Sequence, residues 1–358
     1  REFVGAITFE AVTGRPVHTE LIVEGRALDH LTLARDAQLV IVAPATADVL
    51  ARSATGQSDD LITAVLLATR APVLLVPAMN DKMWSHAQVQ ANAAHLVALG
   101  YHVMTPAVGP LASPTEGAGA GRMPEPEQIV AEAARFLEPA GALAGRHVVV
   151  TAGPTREPVD PVRFLSNRSS GRMGVAIAAA ARRRGARVTL VHGPLEVALP
   201  HGATPVAVET TAEMADAVRT ALADADVLVM AAAPADFTAA APAAQKLKKE
   251  STPDAIAITR TADILKTTRD ARRPGTVVVG FALETEKVIE HAQGKLKAKE
   301  LDLVVANDAT EAGAGFGTST NRVTLIGRDG TPEALPLASK DSVADVILDR
   351  VEALIRGR

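Results

Sequence analysis

The chain has 358 residues, 47% hydrophobic, 22% charged and 3% aromatic, which is long enough for two ordinary domains and too apolar for a disordered polymer. Its 37 Lys and Arg against 41 Asp and Glu leave a formal charge of -4, and the lack of a basic excess and of aromatic platforms argues against a nucleic-acid partner. Cysteine is absent, which excludes disulfides, thiolate metal sites and a cysteine nucleophile.

Apolar runs of strand length alternate with Ala/Leu-rich runs of helical period, the pattern of parallel sheets with crossover helices, so both halves read as α/β. In the first half, residues 38–43, 72–76 and 101–104 read as buried strands, and 60–69, 85–99 and 127–136 as helices. A small-residue stretch with Pro and Gly, 138–146, sets the boundary. Beyond it, strand 147–151, a long loop, helix 173–184 and strand 187–191 form a βαβ unit. Strands at 227–230, 276–279 and 303–306 follow, then a hairpin turning at Asp329-Gly330 and a last helix at 342–355. No apolar run approaches the roughly 20 residues that span a bilayer, and R-E-F-V-G has no signal-peptide character, so a cytoplasmic protein without membrane contact is expected. A chain that starts without Met, directly in domain-like sequence, is expected to lack an N-terminal piece.

In the second half a dinucleotide site is disfavoured: G-x-G-x-x-G is missing after the first strand, and the second strand ends in Val191-His192-Gly193 without an acid for a ribose hydroxyl. Instead, G-P-T-R-E-P-V-D-P-V-R-F-L-S-N-R-S-S-G-R-M-G runs into a helix start, where backbone N–H groups bind anions; the bland alternative is a capped helix after an ordinary loop. A-A-A-P-A-D-F, 231–237, lies at the ligand-binding end of a strand, and Lys246, Lys248 and Lys249 follow. Lys295 and Lys299 are four apart on one face of a helix, where two ammonium groups can converge on a polyphosphate, although such lysines are usually solvated surface. Together these features point to a nucleoside triphosphate site.

The motifs S-N-R-S-S-G-R-M-G, A-A-A-P-A-D-F, K-L-K-K, V-V-G-F-A-L-E-T and A-N-D resemble the ligase half of the bacterial bifunctional phosphopantothenoylcysteine decarboxylase/phosphopantothenate-cysteine ligase family of coenzyme A biosynthesis. The resemblance spans 146–358 and implies a Rossmann-like ligase domain. It further implies that CTP and Mg2+ activate the carboxylate of 4'-phosphopantothenate as an acyl-cytidylate, which the cysteine amine converts to an amide with release of CMP. By motif, Asn167 would hold the acyl-cytidylate, and Lys246 would counter charge on the transferring phosphate. Asp236, Ala262, Asp263, Ile264, Leu265, Phe281, Lys295 and Lys299 would contact CTP, and Ser169, Ser170 and Gly171 the substrate. Arg172 stands where the family often has Lys and keeps the positive charge. The metal ligands stay unassigned.

The first half carries P-A-T-A-D at 44–48 and P-A-M-N-D-K-M-W at 77–84, both polar turns at strand ends, and a lone His30, a residue type more often structural than catalytic. These resemble the flavin-containing cysteine decarboxylases and imply a flavodoxin-like domain over residues 1–140. His30 would then be the catalytic base, Ala45, Thr46 and Asp60 would lie at FMN, and Asn80 would grip the substrate. Met79 is implied at the substrate and Met83 as a wall residue, core packing being the alternative for both. In the implied chemistry FMN oxidises the substrate thiol to a thioaldehyde, CO2 leaves, and reduced flavin returns the electrons to give 4'-phosphopantetheine.

Two departures stand out. The family's flap cysteine, which protonates the enethiolate, falls on Ser113 or on Thr115, according to the end from which the loop is aligned; another donor such as Glu116, or water, would replace it. The family's N-terminal glycine-rich flavin-phosphate loop precedes anything present here. Three functions therefore compete. The first is the bifunctional enzyme, homo-oligomeric through trimeric flavin and dimeric ligase domains, taking phosphopantothenate, cysteine and CTP. The second is a ligase with a degenerate flavin-like scaffold, and the third a regulatory flavoprotein that binds a protein partner.

Overall fold

A computed structural model describes residues 4–110, 117–138, 141–248, 255–311, 315 and 317–358. The flap positions Ser113, Thr115 and Glu116, and Lys249, lie outside the described residues. The chain forms two compact units that meet in sequence between Leu137 and Glu138.

The first unit runs α1 (Ala6–Thr13), α2 (Asp29–Asp36), β1 (Val40–Ala45), α3 (Ala47–Ala54), α4 (Leu61–Ala68), β2 (Val73–Pro77), α5 (Asp81–Trp84), α6 (Ala87–Ala98), β3 (His102–Val103), β4 (Ala107–Pro110), β5 (Ala118–Arg122) and α7 (Pro126–Leu137). β1, β2 and β3 make a parallel sheet in that order, and β4 and β5 an antiparallel pair. Only β2, the central strand, is buried throughout; β1 was expected to be buried but exposes Ile41 by 43%, because an edge strand has a neighbour on one side only. Leu50, Leu66, Leu75 and Leu96 fill one small core, and Leu74, Val76, Met104 and Ile129 another. α4 falls where the apolar period places it, closed by Asp60 and Thr69 as caps.

The second unit runs β6 (His147–Ala152), β7 (Arg156–Pro158), β8 (Phe164–Ser166), α8 (Arg172–Arg183), β9 (Arg187–His192), β10 (Thr204–Ala207), α9 (Thr211–Ala221), β11 (Val227–Met230), β12 (Phe237–Ala239), β13 (Ile258–Arg260), α10 (Ile264–Thr267), β14 (Val277–Glu284), α11 (Val288–Ala298), β15 (Leu303–Asp308), β16 (Thr320–Asn321), β17 (Thr324–Gly327), β18 (Pro332–Ala334), β19 (Ala338–Ser339) and α12 (Lys340–Arg356). Its main sheet has the order β10-β9-β6-β11-β14-β15-β17-β18, parallel from β10 to β15 and antiparallel beyond. The parallel strands thus read 3-2-1-4-5-6, a doubly wound sheet whose order reverses between β6 and β11.

Alternate residues of each strand face opposite layers. Val148, Val150, Val227 and Val229 pack under α8 and α12, whereas Val149, Leu228 and Val278 pack under α9, α10 and α11. β14 extends past the expected 276–279 because Gly280 does not interrupt it: the missing side chain makes room for Leu301, whose Cδ1 would lie 2.6 Å from an added Cβ.

Candidate active sites

A cavity of about 770 Å3 lies at the carboxyl ends of β11, β14 and β15 and at the start of α8, the helix that follows β6, beside the β6/β11 reversal of strand order. It brings together Asn167, Ser169, Ser170, Gly171, Asp236, Ala262, Asp263, Ile264, Leu265, Phe281, Lys295 and Lys299, all singled out in the sequence. Lys246, also singled out, is exposed and does not line it. Its neighbour Leu247 is clamped instead: the Leu247 N–H donates to Asp160 Oδ2 at 3.1 Å, and Arg163, itself bonded to Asp160, donates to the Leu247 carbonyl at 2.7 Å.

The anion-binding end is α8. Gly171 caps it with φ of 77° and no side-chain hydrogen bond, so the first-turn N–H groups face outward without a protein acceptor supplied by the cap. Gly174 lets that turn sit on β6, since an added Cβ would lie 2.6 Å from Ala152 Cβ and 2.7 Å from the Thr151 carbonyl. Asn167 is fixed by its Nδ2, which donates to the carbonyls of Ala233 (3.1 Å) and Pro234 (3.0 Å), leaving Oδ1 as its free polar atom.

The segment that accepts those bonds is itself held by a buried relay. The Ala235 N–H donates to Thr155 Oγ1 at 2.9 Å, Thr155 and Thr211 share a hydroxyl bond, and Thr211 donates from both N and Oγ1 to Glu157 at 2.7 and 2.8 Å. Each buried polar group is thereby satisfied, which fixes the loop in one conformation.

The cations converge from α11. Lys295 donates to the Phe281 carbonyl, and Lys299 Nζ lies 3.1 Å from Asp263 Oδ2. Burial first, and then the charge of Lys299, lower the Lys295 pKa below the ordinary lysine value, against the opposing pull of Glu284, Asp263 and Asp236. Sequence reasoning missed Lys340, Thr211, Arg260 and Asn321, which also line the cavity. Thr210 and Glu213 form a capping box that marks the start of α9 and could have located Thr211; no local pattern marks a buried lysine at the first residue of α12. Among the described residues no three His, Asp or Glu side chains gather as a metal cage, and the carboxylates singled out at the cavity are Asp236 and Asp263. That donor set fits Mg2+ held mainly by phosphate oxygens.

In the first unit Ala45 and Thr46 sit at the carboxyl end of β1, and Met79 and Asn80 follow that of β2. Ala45 is fully buried, Thr46 caps α3 by accepting from the Val49 N–H, and the Ala78 N–H donates to the Ala45 carbonyl, so the two turns are neighbours. Asn80 caps α5, and the Met79 N–H donates to the Gly121 carbonyl of β5. Met79 packs on the core while Met83 is exposed. Asp60 caps α4 through Thr63 and pairs with Arg52 at 2.8 Å; desolvation pushes its pKa up, but Thr63 and Arg52 together bring it below the ordinary value. His30 is in the first turn of α2, and its Nδ1 is buried without a hydrogen-bond partner. An orphaned imidazole nitrogen and a ledge of small and polar strand-end residues fit the edge of a flavin ring.

The two units define a class: an α/β protein with a doubly wound, cation-lined ligand site in one unit and a second parallel-sheet unit before it. Residues 143–355 match the family described as DNA/pantothenate metabolism flavoprotein C-terminal domain, and residues 2–138 the family described as Flavoprotein. The coenzyme A biosynthesis bifunctional protein CoaBC of Mycobacterium tuberculosis is 45% identical over 99% of this chain and 88% of its own length, and that of Bacillus subtilis 42% over 98% and 87%. A crystal structure of the C-terminal domain of a CoaBC protein covers 61% of this chain and 100% of its own at 38% identity, with a TM-score of 0.52. The chain belongs to the family of coenzyme A biosynthesis bifunctional proteins. No described helix is long and apolar enough to cross a membrane.

Proposed function

We propose that the chain joins 4'-phosphopantothenate to cysteine in its second unit and decarboxylates the product, phosphopantothenoylcysteine, in its first. The observation that supports this most is the cavity at the β6/β11 reversal, where uncapped α8 amides, Asn167 and the Lys295/Lys299 pair face one space. In the ligase the substrate carboxylate attacks the α-phosphorus of CTP, forming an acyl-cytidylate and releasing pyrophosphate. The cysteine amine then attacks the acyl carbon, forming the amide and releasing CMP. Asn167 Oδ1 is held where it can orient the activated acyl group, and Lys295 and Lys299 neutralise the polyphosphate. The Lys246 role rests on its motif. Asp236 would help to hold Mg2+, which would supply positive charge against the polyphosphate.

In the first unit FMN is the flavin proposed, and when bound it supplies two-electron oxidation of the substrate thiol. Ala45 and Thr46 would border it, with Asp60 anchoring α4 beside them; Asn80 would hold the substrate, and the unpartnered His30 Nδ1 would accept or donate the proton. A cytoplasmic homo-oligomer associated through both units belongs to the same proposal.

Product analysis tests it. The full chain with phosphopantothenate, cysteine and CTP is expected to release CMP and, with flavin bound, CO2. CMP without CO2 would favour the ligase with a scaffold domain, and neither product would overturn the proposal.

A further inference from the structure

Three buried polar side chains that join segment 233–235 to the start of α9 form a series of hydrogen bonds with a single direction. Thr155, which immediately precedes β7, is fully buried and does not line the cavity. Glu157, two residues on, turns to the same side because residues of a strand alternate, and Thr211 is the first residue of α9. Glu157 Oε1 accepts from Thr211 twice, from N at 2.7 Å and from Oγ1 at 2.8 Å. A threonine hydroxyl has one proton, and the same Oγ1 is farther from the Ala235 carbonyl, 3.4 Å, so Thr211 gives its proton to the carboxylate. The 2.9 Å bond between the two hydroxyls is then donated by Thr155, whose own oxygen accepts the Ala235 N–H at 2.9 Å. Every donor in the series points toward Glu157, and each bond strengthens the next.

Thr155 holds Asn167 from two sides. Its carbonyl accepts from Ser166 Oγ at 2.7 Å, which fixes the residue before Asn167. Its hydroxyl fixes Ala235, next to the Ala233 and Pro234 carbonyls that accept from the Asn167 carboxamide. Pro234 has no N–H, so the backbone donors of this segment are Ala233, bonded to the Gly153 carbonyl, and Ala235, bonded to Thr155. Without the hydroxyl the buried Ala235 N–H would lose its acceptor, and the two carbonyls would be freed to turn away from Asn167. Thr261 Oγ1, which donates to the Ala235 carbonyl at 2.6 Å, would still tether the segment, so it would loosen rather than unfold. Resting on the ligation proposed above, we infer that Thr155 is a positioning residue for it: the hydroxyl, ordered through Thr211 by Glu157, aims the Asn167 carboxamide without touching the reactants.

Steady-state CMP release by the full chain tests this with two substitutions that separate shape from hydroxyl. Thr155→Val keeps the volume and removes the O–H; kcat is expected to fall about 10- to 100-fold, with the KM values for CTP and phosphopantothenate within about threefold. Thr155→Ser loses the methyl, keeps the O–H and should hold kcat within about threefold of the unsubstituted chain. In an Asn167→Ala background, Thr155→Val should lower kcat by less than about threefold, because its effect runs through Asn167. An unchanged kcat in Thr155→Val, a change confined to KM, a Thr155→Ser protein as slow as Thr155→Val, or full multiplication of the two losses would overturn the assignment. Melting curves show whether Thr155→Val folds; should it not, Thr155→Ala and Thr155→Ser, which differ only in the hydroxyl, must show the same kcat contrast or the assignment fails. Absence of CMP release by the unsubstituted chain would instead overturn the ligation itself.

Discussion

The two units use the same parallel-sheet grammar to different depths. In the second, helices pack on both faces of the sheet, β6 and β11 are buried throughout and β15 nearly so, and the site is a cavity on a doubly wound sheet. In the first, three strands leave one fully buried, α1 buries no residue, and Ile7, Val12 and Leu28 are among many exposed apolar side chains. Its Thr46 and Asn80, expected at flavin and substrate, are helix caps that follow the ends of β1 and β2. A deep sheet can preorganise chemistry within one chain, whereas a shallow one supplies an edge that other surfaces must complete.

The sharpest way to break this comparison is to disable one unit at a time. His30→Asn is expected to lower CO2 release by about a hundredfold or more while CMP release is unchanged; loss of both would mean that the units do not act separately. Next, Gly174→Val should destabilise the second unit by about 3 kcal/mol, because the added methyls meet Ala152 and the Thr151 carbonyl. Ile41→Ala, at a half-exposed edge position of the first, should cost less than about 1 kcal/mol. Urea midpoints followed by a probe in each unit would separate the two, and equal costs would contradict the difference in depth.

A smaller effect concerns charge. Lys295 has a lowered pKa, so it loses its proton at a lower alkaline pH than an exposed lysine, with Lys299 favouring that loss and Glu284, Asp263 and Asp236 opposing it. The CTP KM should therefore climb on the alkaline side below the ordinary lysine value of 10.5, and Lys295→Arg should move that limb upward. Kinetics across pH check this, and an unmoved limb would reject Lys295 as its source.

The smallest effect concerns Asp160, whose carboxyl is held far below the usual range, chiefly by Arg163, with backbone N–H groups of Val162, Leu247 and Arg163 contributing. A depressed carboxylate pKa stabilises the fold above the unfolded value of 3.8, and the contribution fades as pH falls toward the folded value. Asp160→Asn should thus show a shallower loss of stability on acidification, read from denaturation at neutral and acid pH.

Long periodic segments were legible in the sequence. The expected strand 227–230 coincides with β11, helix 173–184 is α8 displaced by one residue, and the Asp329-Gly330 turn joins β17 to β18. Two- and three-residue pairs such as β7 with β8 and β12 with β13 were not, since so short a run has no period and is held by tertiary contacts. The same division holds at the site. Gly171 and the Lys295/Lys299 spacing announce themselves locally, whereas Lys340 comes to line the same cavity as Arg172 only because α12 packs on α8, far away in the sequence. Lys246 shows the converse: a motif position that the fold leaves outside the cavity wall.

The most direct measurement compares CMP release by Asn167→Ala with that of the unsubstituted chain, given phosphopantothenate, cysteine and CTP. Loss of about a hundredfold or more, with CO2 release from supplied phosphopantothenoylcysteine intact, is the result expected if the α8 cavity performs the ligation. CMP release at the full rate would contradict it.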